Sequence, residues 1–325
     1  MKAGPLSRLA AIALLAFIGA GAHAAYPEKP VRVFVGFAPG GGTDVVGRAI
    51  SQRLTDTFGG SFVVENRPGA GAMLAAEAVA KAPADGYTLL LGTSAEMTIS
   101  PPLYGRMPYR PAEDFEPIAL LGVSPAILMA NPAFPGKDIR DVIAEAKKKP
   151  GELTIASGGA GTAPHLAAEQ LKIVADIEFV IAQYKGAAPS QVDAMAGHVP
   201  LVFSTIASAL PHIKSERLKP LGVISAKRSA LLPDVPSAAE LGLKNFEAVT
   251  WFGLFAPAGT PTDVIDRLRA AVAQSLQDSK LRANFETLGI EPATVEEGGE
   301  ALRKRVTEEL ANWTKVIKAA GIKVE

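Results

Sequence analysis

Residues 31–44, VRVFVGFAPGGGTD, run from a β-branched apolar stretch through Pro39 and three consecutive glycines to Thr43-Asp44, a pair suited to the start of a helix. Val31 to Phe37 has the length and composition of a buried strand. Beyond the glycines, Val46, Ile50 and Leu54 recur every four residues and mark one face of a helix. Working outward, Phe62 to Glu65 is a second strand, closed by the turn Asn66-Arg67-Pro68-Gly69. Gly71 to Lys81 is Ala-rich and helical, and Tyr87 to Leu91 is a third strand. Parallel strands need a crossover between them, so this alternation implies an α/β fold with helices on the faces of a mainly parallel sheet.

The pattern restarts further on. Pro125 to Ala130 and Leu153 to Ala156 are strands around a helix at Ile139 to Lys149. A helix at His165 to Val174, a strand at Glu178 to Gln183 and a short helix at Pro189 to Ala196 follow. Val199 to Phe203 and Pro220 to Ile224 are further strands. Val264, Leu268, Ala271 and Val272 share the face of a late helix, and another runs from about Glu300 to Ala319. Two β/α units in one chain imply a cleft between them.

The 325 residues include 33 Lys or Arg, 33 Asp or Glu and no Cys. A length of this order suits two domains. Balanced, scattered charge argues against nucleic acid as a partner. Without Cys there are no disulfides, thiolate catalysis or Cys-based metal sites, and no cofactor is expected. Residues 1–24 read as a secretory signal: Lys2 and Arg8 precede the apolar run Leu9–Ala20, and Ala22-His23-Ala24 supplies small residues for cleavage before Ala25. That run is 12 residues, short of the ~20 a spanning helix needs. The mature chain is expected to be exported and soluble, with 31 basic and 33 acidic residues, a formal charge of −2. Any anion site must therefore be built locally.

Such a site is available at the glycines. Backbone N–H groups there can turn toward a ligand without Cβ obstruction, and a helix start adds unpaired donors and a positive dipole end. The loop is not a phosphate-binding P-loop, since no Gly-Lys-Ser/Thr follows. It also departs from the dinucleotide fingerprint at Val45, so Glu65 reads as an ordinary strand-end carboxylate. The same device recurs at Ser157-Gly158-Gly159-Ala160-Gly161-Thr162, again between strand and helix, with Pro164 suited to the helix's first turn. Two helix N-termini facing one cleft would hold a small anion between them.

Tyr184 ends a strand, followed by Lys185-Gly186-Ala187-Ala188-Pro189 and, on the next helix, Asp193. Tyr184 can offer a hydroxyl or a ring wall, and Asp193 can accept from a ligand amine or a water; Lys185 reads as a solvated side chain. Thr93 and Ser94 follow the third strand, at the end where open α/β sheets bind ligands. Trp251 and Phe252 read as core aromatics, and His165, His198 and His212 as structural or exposed. Neither a Gly-x-Ser-x-Gly elbow nor a His-Glu-x-x-His pair occurs. No enzyme is indicated.

The chain resembles the periplasmic solute receptors of tripartite tricarboxylate transporters, the Bug family, over essentially the whole mature sequence. The segments that carry the resemblance are YPEKP at 26–30, FAPGGGTD at 37–44, VVENRPGAGAMLAAEAVAKAPADGYTLL at 63–90 and SGGAGTAPHLAAEQL at 157–171. YKGAAPSQVDAMAGHV at 184–199, LPDVPSAAELGL at 232–243 and WFGLFAPAGTP at 251–261 complete it. The resemblance implies a two-lobed, hinged Venus flytrap fold, with residues 25–124 and about 226–325 in one lobe and 125–225 in the other. The last helix is free, on this reading, to pack across both lobes. It implies that Phe37, Gly40, Gly41 and Thr43 from one lobe meet Ser157, Gly158, Gly161, Thr162, Tyr184 and Asp193 from the other around a carboxylate. It further implies a monomeric receptor that docks on membrane permease subunits.

One stretch departs from the family pattern: Glu96-Met97-Thr98-Ile99-Ser100-Pro101, where small or polar residues with a His and an Asn are common. A Glu96 inside the cleft would repel a second carboxylate and favour an amine or hydroxyl; a Glu96 in solvent is the simpler expectation. The chain thus reads as a non-catalytic receptor for a small organic carboxylate. The rivals are an exported sensor for a signalling partner and a hydrolase or isomerase using Tyr184, His165 and Asp193.

Overall fold

The computed structural model describes residues 26–105, 107–244 and 246–320. The expected leader and Ala25 lie outside the described residues. The first unit comprises β1 (Val31–Val35), α1 (Gly42–Phe58), β2 (Phe62–Asn66), α2 (Met73–Ala80) and β3 (Thr88–Thr93). A π-helical turn, Ala95–Ile99, leads into the short α3 (Ser100–Tyr104). β4 (Phe115–Ala130) then carries the chain into the second unit. That unit comprises α4 (Ile139–Lys148), β5 (Thr154–Ser157), α5 (Ala163–Ala175), β6 (Val180–Gln183) and α6 (Ala187–Ala196). It continues through β7 (Leu201–Thr205), α7 (Ile206–Lys214) and β8 (Lys219–Ile224). β9 (Val249–Pro257) returns to the first unit, followed by α8 (Thr262–Gln277), α9 (Ser279–Thr287), β10 (Glu291–Pro292) and α10 (Gly299–Ala320).

The strands form one sheet in the order β2-β1-β3-β9-β4-β7-β5-β6, with β8 and β10 also paired to β4. β1 runs parallel to β2 and β3, and β5 runs parallel to β6 and β7. The centre adds antiparallel pairs that the strand–helix alternation does not announce: β9 with β3 and β4, and β4 with β7, β8 and β10. β4 belongs to both units. Phe115 to Pro125 lie beside β9, and Ala126 to Ala130 lie beside β7 and β8. The 125–130 strand expected from sequence is therefore the second half of a longer one. Its first half is apolar on both faces, so it shows no alternation to read.

Each unit has its own core. Val33, Ile50, Leu90, Leu121, Leu254 and Leu268 are fully buried together in the first. In the second, alternate residues of β4 point to opposite faces. Leu128 packs with Ile155, Leu166 and Phe203, while Ile127 and Met129 pack with Val202, Leu210 and Val223. α10 joins the two: Leu302 and Val306 sit in the first core, and Trp313 packs against the second.

Candidate ligand-binding cleft

The ends of β1, β3, β5 and β7 and the starts of four helices open onto one cleft lined from both units. α1 brings Gly41, Gly42 and Thr43, and α5 brings Thr162, Ala163 and Pro164. α6 brings Gly186, Ala187 and Ala188, and α7 brings Thr205 and Ser208. Counted out to its mouth, the cleft holds about 800 Å³, within the range that encloses a small metabolite. Each helix start places roughly half a positive charge at the cleft, with those first-turn N–H groups that remain unpaired. The N-cap residues of α1, α6 and α7 make no side-chain cap hydrogen bond, although Ser124 Oγ accepts from the Ala207 N–H in the first turn of α7 at 3.1 Å. α5 is capped by Thr162, whose Oγ1 accepts from the His165 N–H and donates to the Gly159 carbonyl. Lys185 is the one charged residue of the lining, and no carboxylate is among the lining residues.

The first glycine loop is held from behind. Asp44 accepts from the Gly40 N–H at 3.0 Å, from Arg48 Nε at 2.9 Å and from Asn66 Nδ2 at 2.9 Å. Asn66 also donates to the Phe37 carbonyl at 3.0 Å. Burial alone would raise the Asp44 pKa, but these hydrogen bonds outweigh it and hold the carboxyl below its ordinary range. Gly40 turns the loop in the left-handed region, φ 84°, where glycine alone sits without strain. The second loop is held likewise: the Gly161 N–H donates to His165 Nδ1 at 3.3 Å, and His165 Nε2 faces Glu169. His165 is buried and serves the loop.

Of the residues expected at the site, Phe37, Gly41, Thr43, Thr93, Gly158 and Thr162 line the cleft. Gly40 lies beside it with its N–H committed to Asp44. Ser157 is buried next to Gly158, and its hydroxyl has no hydrogen-bond partner. Gly161 (φ 75°) faces Ser100 and Leu103, so its approach is to the first unit's α3 segment. Ser94 is buried, with Oγ 3.5 Å from the Val249 carbonyl. Tyr184 donates to Asp193 at 2.6 Å, and Asp193 lies 3.3 Å from His198 Nδ1; neither Tyr184 nor Asp193 is among the lining residues. That bond raises the Tyr184 pKa and, together with His198, lowers that of Asp193.

Three features were not foreseen. First, Ser204, Thr205 and Ser208 make a hydroxyl floor, with Ser204 and Ser208 2.7 Å apart and buried Gln191 donating to Ser204 at 2.8 Å. Thr205 before Ile206 is a residue type suited to a helix start, but its side chain makes no cap hydrogen bond and no glycine marks the junction. Second, Phe252 is buried as expected of a core aromatic, yet it also lines the cleft, on the unforeseen β9. Third, Glu96 is not in solvent: it is fully buried in the π-helical turn. Its carboxylate accepts from the Thr93 N–H at 2.7 Å and from Thr93 Oγ1 at 2.6 Å. Burial, only partly offset by those bonds, pushes its pKa up to about 7. Thr93-Ser94-Ala95-Glu96 has the spacing of a capping box, the signal that could have placed it. Among the described residues, no cluster of His, Asp and Glu suits a metal ion, and no helix is long and apolar enough to cross a membrane.

Known proteins share this fold. Residues 46–322 match the model of the tripartite tricarboxylate transporter family receptor. Protein BugT of Bordetella pertussis is 34% identical over 301 residues, covering 92% of this chain and 92% of its own. Rpa4515 of R. palustris, solved with adipate, superposes with a TM-score of 0.88 at 34% identity, covering 92% of this chain and 99% of that one. MatC from Rhodopseudomonas palustris, solved with bound malate, gives a TM-score of 0.84 at 33% identity over 90% of this chain and 100% of that one. The two-unit fold and the length of the match agree, and the chain belongs to the tripartite tricarboxylate transporter receptor family.

Proposed function

We propose that this chain is a periplasmic, monomeric receptor that captures a small organic carboxylate between two hinged lobes and delivers it to the permease subunits of a tripartite tricarboxylate transporter. The lobes are residues 25–124 with about 226–325, and 125–225. The hinge is where β4 changes neighbours at Pro125–Ala126 and where the chain returns between Ile224 and Val249. The observation that carries the reading is the convergence of four helix N-termini, from both units, on a cleft without an acidic lining residue. Hydrogen bonds to a charged group contribute about 1.5–3 kcal/mol each. Three or four of them suffice for micromolar binding, about −8 kcal/mol, after the cost of association. Donors from the two lobes meet only when the cleft is shut, so the ligand favours the closed state. The family membership and the adipate and malate held by the two solved neighbours agree with a carboxylate.

Nothing in the cleft suggests turnover. His165 is engaged with Gly161 and Glu169, while Tyr184 is engaged with Asp193, and no hydrogen bond joins the two sets among the described residues. A thermal-shift screen of carboxylates followed by calorimetry tests the reading. A micromolar ligand recovered intact after long incubation is expected. Failure of every carboxylate to bind, or its conversion to product, would overturn it.

A further inference from the structure

Glu96 lies one residue beyond the cleft wall and has no part in the anion trap described above. Its two carboxylate oxygens are both used on Thr93, one on the main-chain N–H and one on the hydroxyl. The main-chain bond is what a capping box requires; the hydroxyl bond does something more. It takes the only proton Thr93 Oγ1 has, while the Ala95 N–H, at 3.2 Å, occupies one of that oxygen's acceptor positions. Thr93 is buried at the cleft wall, so a ligand group that packs against it meets a hydroxyl oxygen that accepts but has no proton to give. Around Glu96 the other polar contacts do not reverse this. Tyr109 donates to the Glu96 carbonyl at 2.7 Å, not to its carboxylate. Thr98 bonds the Ser94 carbonyl and Glu309, and Glu309 faces Arg305 and Trp251. No cation is within ion-pair distance of the Glu96 carboxylate among the described residues.

We propose that Glu96 is a specificity-determining, positioning residue that acts through Thr93, so that the cleft selects a carboxylate whose far end is a hydrogen-bond donor, an ammonium or hydroxyl, over one ending in a second carboxylate. The inference rests on the receptor reading above and names the ligand class for that same cleft. The Gly-lined helix starts hold the first carboxylate; at the far end Thr93 offers only a lone pair, because Glu96 holds its proton.

The test compares matched probes that differ only at one end, succinate, 4-hydroxybutyrate and 4-aminobutyrate, with their longer homologues, by calorimetry at about pH 8, where Glu96 is ionised. The wild type is expected to favour the ammonium or hydroxyl probe over the dicarboxylate by about tenfold or more at the chain length that fits. Glu96→Gln keeps the shape. Its amide oxygen can accept from the Thr93 N–H and its NH₂ can donate to Oγ1, which frees the Thr93 proton for the ligand. This variant should shift preference toward the dicarboxylate by about tenfold, with retained binding of the monocarboxylate end. In a Thr93→Val background the Glu96→Gln shift should vanish; persistence of the full shift there would overturn action through the hydroxyl. An unchanged order of probes in Glu96→Gln, with binding intact, overturns this inference alone. No binding of any probe by the folded wild type overturns the receptor reading and this inference together. Thr93→Ser, which keeps the hydroxyl, should retain the wild-type order, and loss of that order would contradict the proposal.

Discussion

At the scale of single residues, the proposed anion site is a matter of what is missing. Gly41 has an extended backbone, φ −81° and ψ 167°, which any residue adopts, and a Cβ there would meet only the Ala38 carbonyl at 3.7 Å. Gly41→Val should therefore fold normally while filling the lining of the cleft. The expected result is at least about a hundredfold loss of carboxylate affinity by calorimetry, the equivalent of one or two charge-assisted hydrogen bonds, with an unchanged melting temperature. Glu96 gives a second prediction. Its folded pKa, about 7, stands above the ordinary carboxyl value of 4.5. The folded state then holds a proton that the unfolded chain releases, so stability falls as pH rises from about 4.5 to about 7 and stays low above that. Glu96→Gln should remove this decline and be more stable than wild type above pH 7, by on the order of 2–3 kcal/mol, in urea melts across that range. The glycine loops were legible because glycine runs between strand and helix have few other uses. Glu96 was not, because a π-helical turn folds it back under β3, and nothing in local apolar periodicity marks that turn.

Elements rather than residues decide how many helix starts face the cleft proposed to hold the anion. Two helix starts were readable from their glycines, at α1 and α5; α6 and α7 supply two more. The Gly186 junction was noticed for its Tyr and Lys, and the Thr205 junction was hidden because Ile206-Ala207-Ser208-Ala209-Leu210 reads as a continuation of the preceding apolar strand. β9 was likewise missed, since Trp251-Phe252-Gly253-Leu254-Phe255 is a buried apolar run without a period. The last helix was foreseen, and its packing explains its place. Glu309 on α10 accepts from Trp251 Nε1 at 2.7 Å and from Thr98 Oγ1 at 3.2 Å, tying the helix to β9 and to the turn that carries Glu96. Glu309→Leu leaves the buried Trp251 N–H without its partner and should cost about 1–3 kcal/mol, read as a lower midpoint in urea. Trp251→Phe in the same background should recover part of that loss, because both members of the pair are then apolar.

The whole molecule is two cores on one sheet, joined by β4, by β9's return and by α10. The two units approach at a few small residues. A Cβ on Gly42 would lie 3.1 Å from the Cβ of Ala207, so the start of α1 and the start of α7 touch across the cleft. Gly42→Leu should wedge that contact. In solution scattering the wild type is expected to shrink when saturated with ligand, and Gly42→Leu to stay at the larger radius of gyration whether or not ligand is present. An equal contraction in both would remove this contact from closure. The overall α/β plan was readable because strand–helix alternation is periodic along the chain. The antiparallel centre of the sheet was not, because it depends on strands far apart in sequence meeting at β4. The most direct test of the central claim is an amide ¹H–¹⁵N titration of the protein with the carboxylate that binds best. Main-chain amides at the starts of all four helices, Gly41 to Thr43, Ala163, Ala187 and Ile206 among them, should shift most and saturate together. Shifts confined to Lys185 and the rim, with those amides unmoved, would contradict the account.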